Sequence, residues 1–274
     1  MKRNWFVLCC SLSLLVTASC LGRRPGFDDS FTATTPPGLP SLSEGPALRV
    51  LVIGDYGTGG EGQLEVARSI AKTHSPAPPH FVLTVGDNFY PSGVASVEDP
   101  HWEQTFKAMY SGEFWDYLVF FPTLGNHHYD GYELAQVQYS AENPRWHMPD
   151  NYFSFRRALP TGDTVQFLAL DTNVLEEQDE RTRIQLEWID SILTASPDPW
   201  IVAYGHHPMV TGGWHGPSAV VRRQLEARFR GRVPLFLSGH NHTTELIQLS
   251  DDLLQAVCGG GAGGDNPYAA AGRR

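Results

Sequence analysis

Cysteine is scarce in this sequence, with four in 274 residues. Cys9 and Cys10 fall in an N-terminal apolar stretch and Cys20 follows it, which leaves Cys258 alone in the remainder of the chain. If Cys20 is lipidated, only Cys258 remains to the mature chain, so even an oxidising compartment would find no internal disulfide to make, and stability has to come from a packed core and bound ions. Basic residues are also in short supply, 20 against 30 acidic ones, for a formal charge of −10, and −12 once Lys2 and Arg3 are set aside. A duplex nucleic-acid binder needs a cationic face, so this balance argues against one. Small phosphorylated partners stay open, because a metal ion can supply positive charge locally. No internal repeat is present, and after the first 20 residues no long apolar span follows. With 41% hydrophobic and 18% charged residues, what remains is the composition of a globular protein with one large domain, or at most two.

Lys2 and Arg3 precede an apolar run from Trp5 to Val16 that is too short to span a bilayer comfortably, and small residues come next. That order predicts an export signal over 1–20. Thr17-Ala18-Ser19-Cys20 resembles a bacterial lipoprotein box, in which Cys20 becomes lipidated, with plain cleavage near Ala18 or Ser19 as the alternative. The expected location is the periplasm or cell envelope, or else the secreted fraction, with membrane contact only through a lipid at Cys20. Residues 21–46, rich in Gly, Pro, Ser and Thr, read as a flexible tether. The folded domain is expected over 47–274, as a monomer.

Short β-branched runs then alternate with amphipathic stretches. Residues 48–53, 81–85, 118–124, 165–170, 200–204 and 233–237 read as buried strands, and 61–74, 97–110, 178–193 and 218–230 have helical spacing. Further strands are predicted over 151–157 and 244–249, which makes the fold class α/β with a mixed sheet.

The informative pattern lies at the strand ends. Five apolar runs stop at a glycine followed at once by a residue able to ligate a metal: Asp55, Asp87, Asn126, His206 and His240. One Gly-Asp after a strand is commonly a turn, and a lone histidine there is commonly structural. Five in one chain, mixing Asp, Asn and His, exceed what turn chemistry explains. Ligand sites of open α/β sheets collect beyond the carboxyl ends of strands, and this donor mixture suits a two-metal site.

Taken in order, Gly54-Asp55-Tyr56-Gly57, Gly86-Asp87-Asn88-Phe89-Tyr90, Gly125-Asn126-His127, Gly205-His206-His207-Pro208 and Gly239-His240-Asn241-His242 resemble the five motif blocks of the purple acid phosphatases. The likeness is greatest to the small, tartrate-resistant type within the calcineurin-like metallophosphoesterase superfamily. Gly57 stands where most of that superfamily has a histidine, and Tyr90 stands where the purple enzymes have a tyrosinate, a hard donor suited to Fe(III). The resemblance implies an αββα sandwich of two mixed sheets flanked by helices, the metallophosphatase fold. It implies a dinuclear centre in which Asp55, Tyr90 and His242 hold Fe(III), Asn126, His206 and His240 hold a divalent Fe, Zn or Mn, and Asp87 bridges the two. A water or hydroxide activated by the metals would attack a phosphomonoester, with His127 and His215 on the substrate side to protonate the leaving oxygen. Phosphodiester or nucleotide hydrolysis on the same metals, or an inactive binding protein, are the alternatives.

Three departures from the family pattern stand out. His128 replaces the acid that usually follows Gly-Asn-His, with Asp130 two places on as a candidate substitute. Residues 173–183 are too few for the long exposed loop that restrains mammalian relatives until proteolysis. Relatives also continue beyond the glycines at 259–264 with further strands, so those C-terminal strands are expected to be missing and an edge of the second sheet left exposed. His74, His80, His101, His128, His147 and His207 are expected to be structural.

Overall fold

The computed structural model describes residues 12–17, 47–159 and 161–263. The tether at 21–46, most of the expected leader and the tail beyond 263 lie outside the described residues. Within the expected leader, β1 (Leu12–Thr17) pairs antiparallel along β2 (Ala47–Ile53). Next to β2 run β3 (Phe81–Thr84) and β4 (Phe120–Pro122), both parallel to it, which completes a four-stranded sheet.

The second sheet has six strands in the order β5-β6-β7-β8-β10-β9. These are β5 (Phe153–Ala158), β6 (Thr164–Ala169), β7 (Trp200–Tyr204), β8 (Leu235–Ser238), β9 (Thr244–Ser250) and β10 (Leu253–Cys258). β6, β7, β8 and β10 run parallel, and the outer strands β5 and β9 are antiparallel to their neighbours. The two mixed sheets and their flanking helices form the sandwich that the resemblance implies. β10, which the sequence reading missed, lies between β8 and β9, so β9 with its alternating exposed residues is the edge on that side among the described residues.

Period-two alternation divides the apolar side chains of the second sheet between two cores. Val165, Phe167, Ala169, Val202, Tyr204, Leu235 and Leu237 join the larger cluster that includes the first sheet. Leu168, Leu170, Ile201, Ala203 and Phe236 point the other way, onto Ile189 and Leu193 of α4 (Glu180–Ala195) and Val221, Leu225 and Phe229 of α5 (Ala219–Phe229). On the other flank, α1 (Glu61–His74) adds Ala67 and Ile70 to the larger cluster.

One helical prediction is corrected, and one short helix is added. The stretch 97–110 contains only a π-helical turn, Trp102–Lys107, because Asp99 ties up the backbone N–H groups of Ala95 and His101 and starts the helix late. The stretch 173–183 carries no long exposed loop. It holds most of α3 (Thr172–Glu177) and the first turn of α4, separated by Gln178 in the left-handed conformation, φ 57°, and by Asp179, whose carboxylate caps α4 through the N–H groups of Arg181 and Thr182. One short helix, α2 (Leu134–Tyr139), packs Tyr139 flat on Trp102, with 3.5 Å between ring centroids. Among the described residues, no helix is long and apolar enough to cross a membrane.

Phe81 joins the sheets. Fully buried at the start of β3, it meets Phe121 of its own sheet and Phe155 and Phe167 of the other edge-on, at centroid distances of 5.3, 5.7 and 5.4 Å. Replacing it removes a large buried side chain and three ring contacts. Phe81→Ala is expected to lower the free energy of unfolding by about 3–5 kcal/mol, measured by denaturant titration of the folded domain.

Candidate metal centre

The parallel strands β2, β3, β4, β7 and β8 end at one edge of the sandwich, and the residues that follow them converge there. Asp55 follows β2, Asp87 and Tyr90 follow β3, Asn126 and His127 follow β4, His206 follows β7, and His240 and His242 follow β8. Asp55, Asp87 and His240 adopt left-handed backbone conformations, with φ of 57°, 49° and 67°. Such conformations are costly outside glycine and persist where the surroundings over-determine them. The preceding glycines are required by crowding. A Cβ on Gly86, itself at φ 91°, would lie 2.4 Å from His206 Nδ1, and one on Gly125 would lie 2.2 Å from Asp87 Oδ1.

Two groups of donors form. In the first, the Tyr90 hydroxyl lies 3.0 Å from Asp87 Oδ2, 3.4 Å from Asp55 Oδ1 and 3.2 Å from His242 Nε2. In the second, Asn126 Oδ1 is 3.0 Å from both His206 Nε2 and His240 Nδ1, which are 3.2 Å from each other. Asp87 Oδ2 reaches this group as well, 3.5 Å from His206 Nε2. His206 donates its Nδ1 proton to the Val85 carbonyl at 2.9 Å, so Nε2 faces the cluster with a lone pair unless it is protonated.

The electrostatics follow from burial. Desolvation opposes charge on both Asp87 and His206, yet each is stabilised by the other, so the carboxyl is held well below its usual range and the imidazole is pushed up to about 9. A proton on His206 Nε2 thus supplies, without metal, the positive charge that the donor set requires. Asp55 is raised by burial, which neighbouring His242 and His206 partly offset. His240 is lowered to about 2 by burial and then by the charge of His206, and keeps its lone pair. His242 Nδ1 is buried with no hydrogen-bond partner among the described residues. An oxygen and two imidazole nitrogens within hydrogen-bonding reach, beside two buried carboxylates and a phenol, are the donors a pair of cations would take, so these residues fit a dinuclear centre.

Gly57 has no space for a histidine. A Cβ there would lie 2.1 Å from the Asn88 carbonyl oxygen, because the loops after β2 and β3 are laced together by the Tyr90 N–H bond to the Gly57 carbonyl. His127 flanks the donors, with Nε2 3.9 Å from Asp87 Oδ2 and Nδ1 donating to the Pro91 carbonyl at 2.6 Å. A backbone carbonyl therefore orients this ring, and Asp130, the expected substitute, is exposed. His215 faces the same opening, its ring centroid 4.8 Å from that of His240 and 5.8 Å from that of His242.

His207, read from the sequence as structural, is drawn into the cluster, its ring 4.7 Å from His240 and 5.0 Å from His206. The Thr172 hydroxyl accepts the N–H groups of His206 and His207 and so donates its own proton to His207 Nδ1, which leaves the ring's proton on Nε2. His207 is thus a donor among acceptors. The signal was present in its position within the Gly-His-His-Pro block, but its tautomer depends on Thr172, which lies 35 residues away in sequence. Next to Thr172, Asp171 accepts the Tyr129 hydroxyl and ties the turn that carries Asn126 to the second sheet. His128 is fully buried between the backbone N–H groups of Asn88 and Gly125, and burial lowers it to about 3. His80, His101 and His147 serve other parts of the fold, against Arg49, Asp99 and Phe121 respectively.

Comparison with known proteins agrees with this geometry. Residues 48–244 match the model of the calcineurin-like phosphoesterase family. The human tartrate-resistant acid phosphatase type 5 is 30% identical over 81% of this chain and 76% of its own length. Purple acid phosphatase 3 of Arabidopsis thaliana is 28% identical over 84% of this chain and 68% of its own. In fold, the chain is similar to GAP50, the anchor in the inner membrane complex of Plasmodium, with a TM-score of 0.72 at 24% identity, covering 78% of this chain and 72% of that one. This chain belongs to the calcineurin-like phosphoesterase family, within its purple acid phosphatase group.

Proposed function

We propose that this protein hydrolyses phosphomonoesters in acid at a dinuclear centre, with Asp55, Tyr90 and His242 holding a ferric ion, Asn126, His206 and His240 holding a divalent Fe, Zn or Mn, and Asp87 between them. The observation that carries this reading is the position of Asp87, whose Oδ2 faces both the Tyr90 hydroxyl and His206 Nε2. When bound, such a pair of cations clamps the attacking and leaving oxygens of an in-line displacement and makes water acidic enough to act as nucleophile.

The chain's own residues supply orientation and protons. Val85 holds the His206 tautomer, and the buried ring of His128 fills the space between the turns around Asp87 and Asn126. His127 Nε2, fixed by the Pro91 carbonyl at Nδ1, is aimed across Asp87 toward the substrate side. His215, exposed at the mouth, gives its proton to the departing ester oxygen. If the leader over 1–20 is removed on export, the reaction takes place outside the cytoplasm, and β2 loses the neighbour that β1 provides.

With iron added during expression, the protein is expected to turn over p-nitrophenyl phosphate faster than bis(p-nitrophenyl) phosphate. The reverse order would assign it to phosphodiesters, and a protein that binds metal but hydrolyses neither would be a binding protein. An Fe(III)–tyrosinate charge-transfer band is expected in the visible spectrum of the wild type and absent from Tyr90→Phe. A colourless wild type with full metal content would remove Tyr90 from the ligand set.

The pH profile has a definite sign. Partial burial of the ring lowers His215 from its ordinary value of 6.5, and the neighbouring carboxylates Asp55 and Asp87 oppose that shift. A proton donor so lowered is charged only at more acidic pH, so activity should fall as pH rises through a value below 6.5. His215→Asn should lose that alkaline limb in a kcat/KM profile and lower the acid plateau about 10²-fold or more. An unchanged limb would assign it to another group.

A further inference from the structure

Asp55, Asp87 and His206 are buried, whereas Asn126, His127, His240 and His242 are half-buried and His215 is exposed. The cluster therefore opens on one side only, and any leaving group must project through that opening. Trp214 stands next to His215 in the chain. At 66% exposure it is the most exposed large hydrophobic residue among those described, well beyond Leu246 at 50%.

This exposure is not the looseness of a free loop. Glu245 accepts the Thr211 hydroxyl at 2.7 Å and the Gly212 N–H at 2.8 Å, and Thr211 Oγ1 accepts the Gly213 N–H at 2.9 Å. Asn241, between His240 and His242, accepts the His215 N–H at 2.8 Å and donates to the Gly216 carbonyl at 3.1 Å. A Cβ on Gly213 would lie 2.4 Å from Asn241 Oδ1, so the loop is pressed against that side chain. The segment that carries two of the histidines thus also anchors the loop on both sides of Trp214. An indole held in water one residue from His215, with no ring contact among the described residues, is a flat apolar face without an internal partner.

We propose that Trp214 is a specificity-determining residue that stacks on a planar aromatic leaving group, so that the site favours aryl phosphates over aliphatic ones. The inference rests on the phosphomonoesterase reading for its activity test. With phosphoryl oxygens at the buried donors and the ester oxygen at His215, the ring of an aryl ester emerges beside the next residue. Consecutive Cα atoms are only ~3.8 Å apart, so the residue next to His215 in reach of that ring is the exposed Trp214 beside it in the chain. A glycerol ester offers no face to stack, and the same contact contributes nothing to it. Stacking binds substrate and transition state alike, so its effect belongs mainly in KM.

The test uses the full metal-loaded protein with phenyl phosphate and glycerol 1-phosphate. Trp214→Ala is expected to reduce the ratio of their kcat/KM values about five- to tenfold, chiefly by raising KM for phenyl phosphate, and Trp214→Phe should restore most of the ratio. An unchanged ratio, an equal rise of both KM values, or a Phe variant no better than Ala would overturn the proposal. Binding of phenylphosphonate and methylphosphonate, followed by calorimetry and tryptophan fluorescence, separates this idea from the activity on which it rests. Tighter phenylphosphonate binding that depends on Trp214 supports the stack even if no ester is hydrolysed, and equal affinities defeat it even in an active enzyme.

Discussion

Asp87 is the residue through which the two sheets meet chemically. Its carboxylate is buried, leaves β3 in a left-handed conformation, accepts the His127 N–H from the turn after β4, and faces His206 from the end of β7. A carboxylate in such a place is tolerable only beside compensating positive charge. Without metal, the compensation is a proton on His206. A pair of cations would satisfy the same carboxylate together with Tyr90, Asp55, Asn126 and the three histidines. The surrounding constraints follow from bringing these atoms together: a glycine before each strand-end residue, backbone N–H groups directed onto side chains, and histidine tautomers fixed from behind.

Packing at the far end of the same strand makes this convergence possible. Phe81 opens β3 and meets Phe155 and Phe167 of the second sheet, while six residues on Asp87 meets His206 of that sheet. The aromatic layer sets the spacing between the sheets, and that spacing decides whether donors from both can share an ion. Close-packed interiors transmit such positions rigidly. The outer core of the second sheet, under α4 and α5, holds β7 and β8 from the other side.

Much of the architecture was legible because strong patterns carry it. α1 and β7 fall where hydrophobic spacing puts them, and the glycine at each strand end marks a turn with no room for a side chain. What failed depended on local competition or on context. Asp99 delays the helix before Trp102, α3 is a short helix ended by Gln178 that the sequence pattern did not show, and β10 is a strand only because β8 and β9 flank it. His207 was marked by its place in the Gly-His-His-Pro block, but its tautomer depends on a threonine in α3. Asp130 was a reasonable substitute for the missing acid in sequence, but the Pro91 carbonyl holds His127 instead.

The sequence by itself determined the inventory: which residues end the strands, that their chemistry is oxygen and imidazole donors with one phenol, and that a negatively charged chain would need cations to hold phosphate. These properties are local, set by residue type and by the period of apolar positions. Tertiary structure alone decided which donors share a space, which nitrogens of His206 and His207 carry the proton, and that the indole next to His215 in the chain stands uncovered. Those outcomes depend on contacts between segments as far apart as Asp55 and His240, and only packing the two sheets together brings such segments within hydrogen-bond distance.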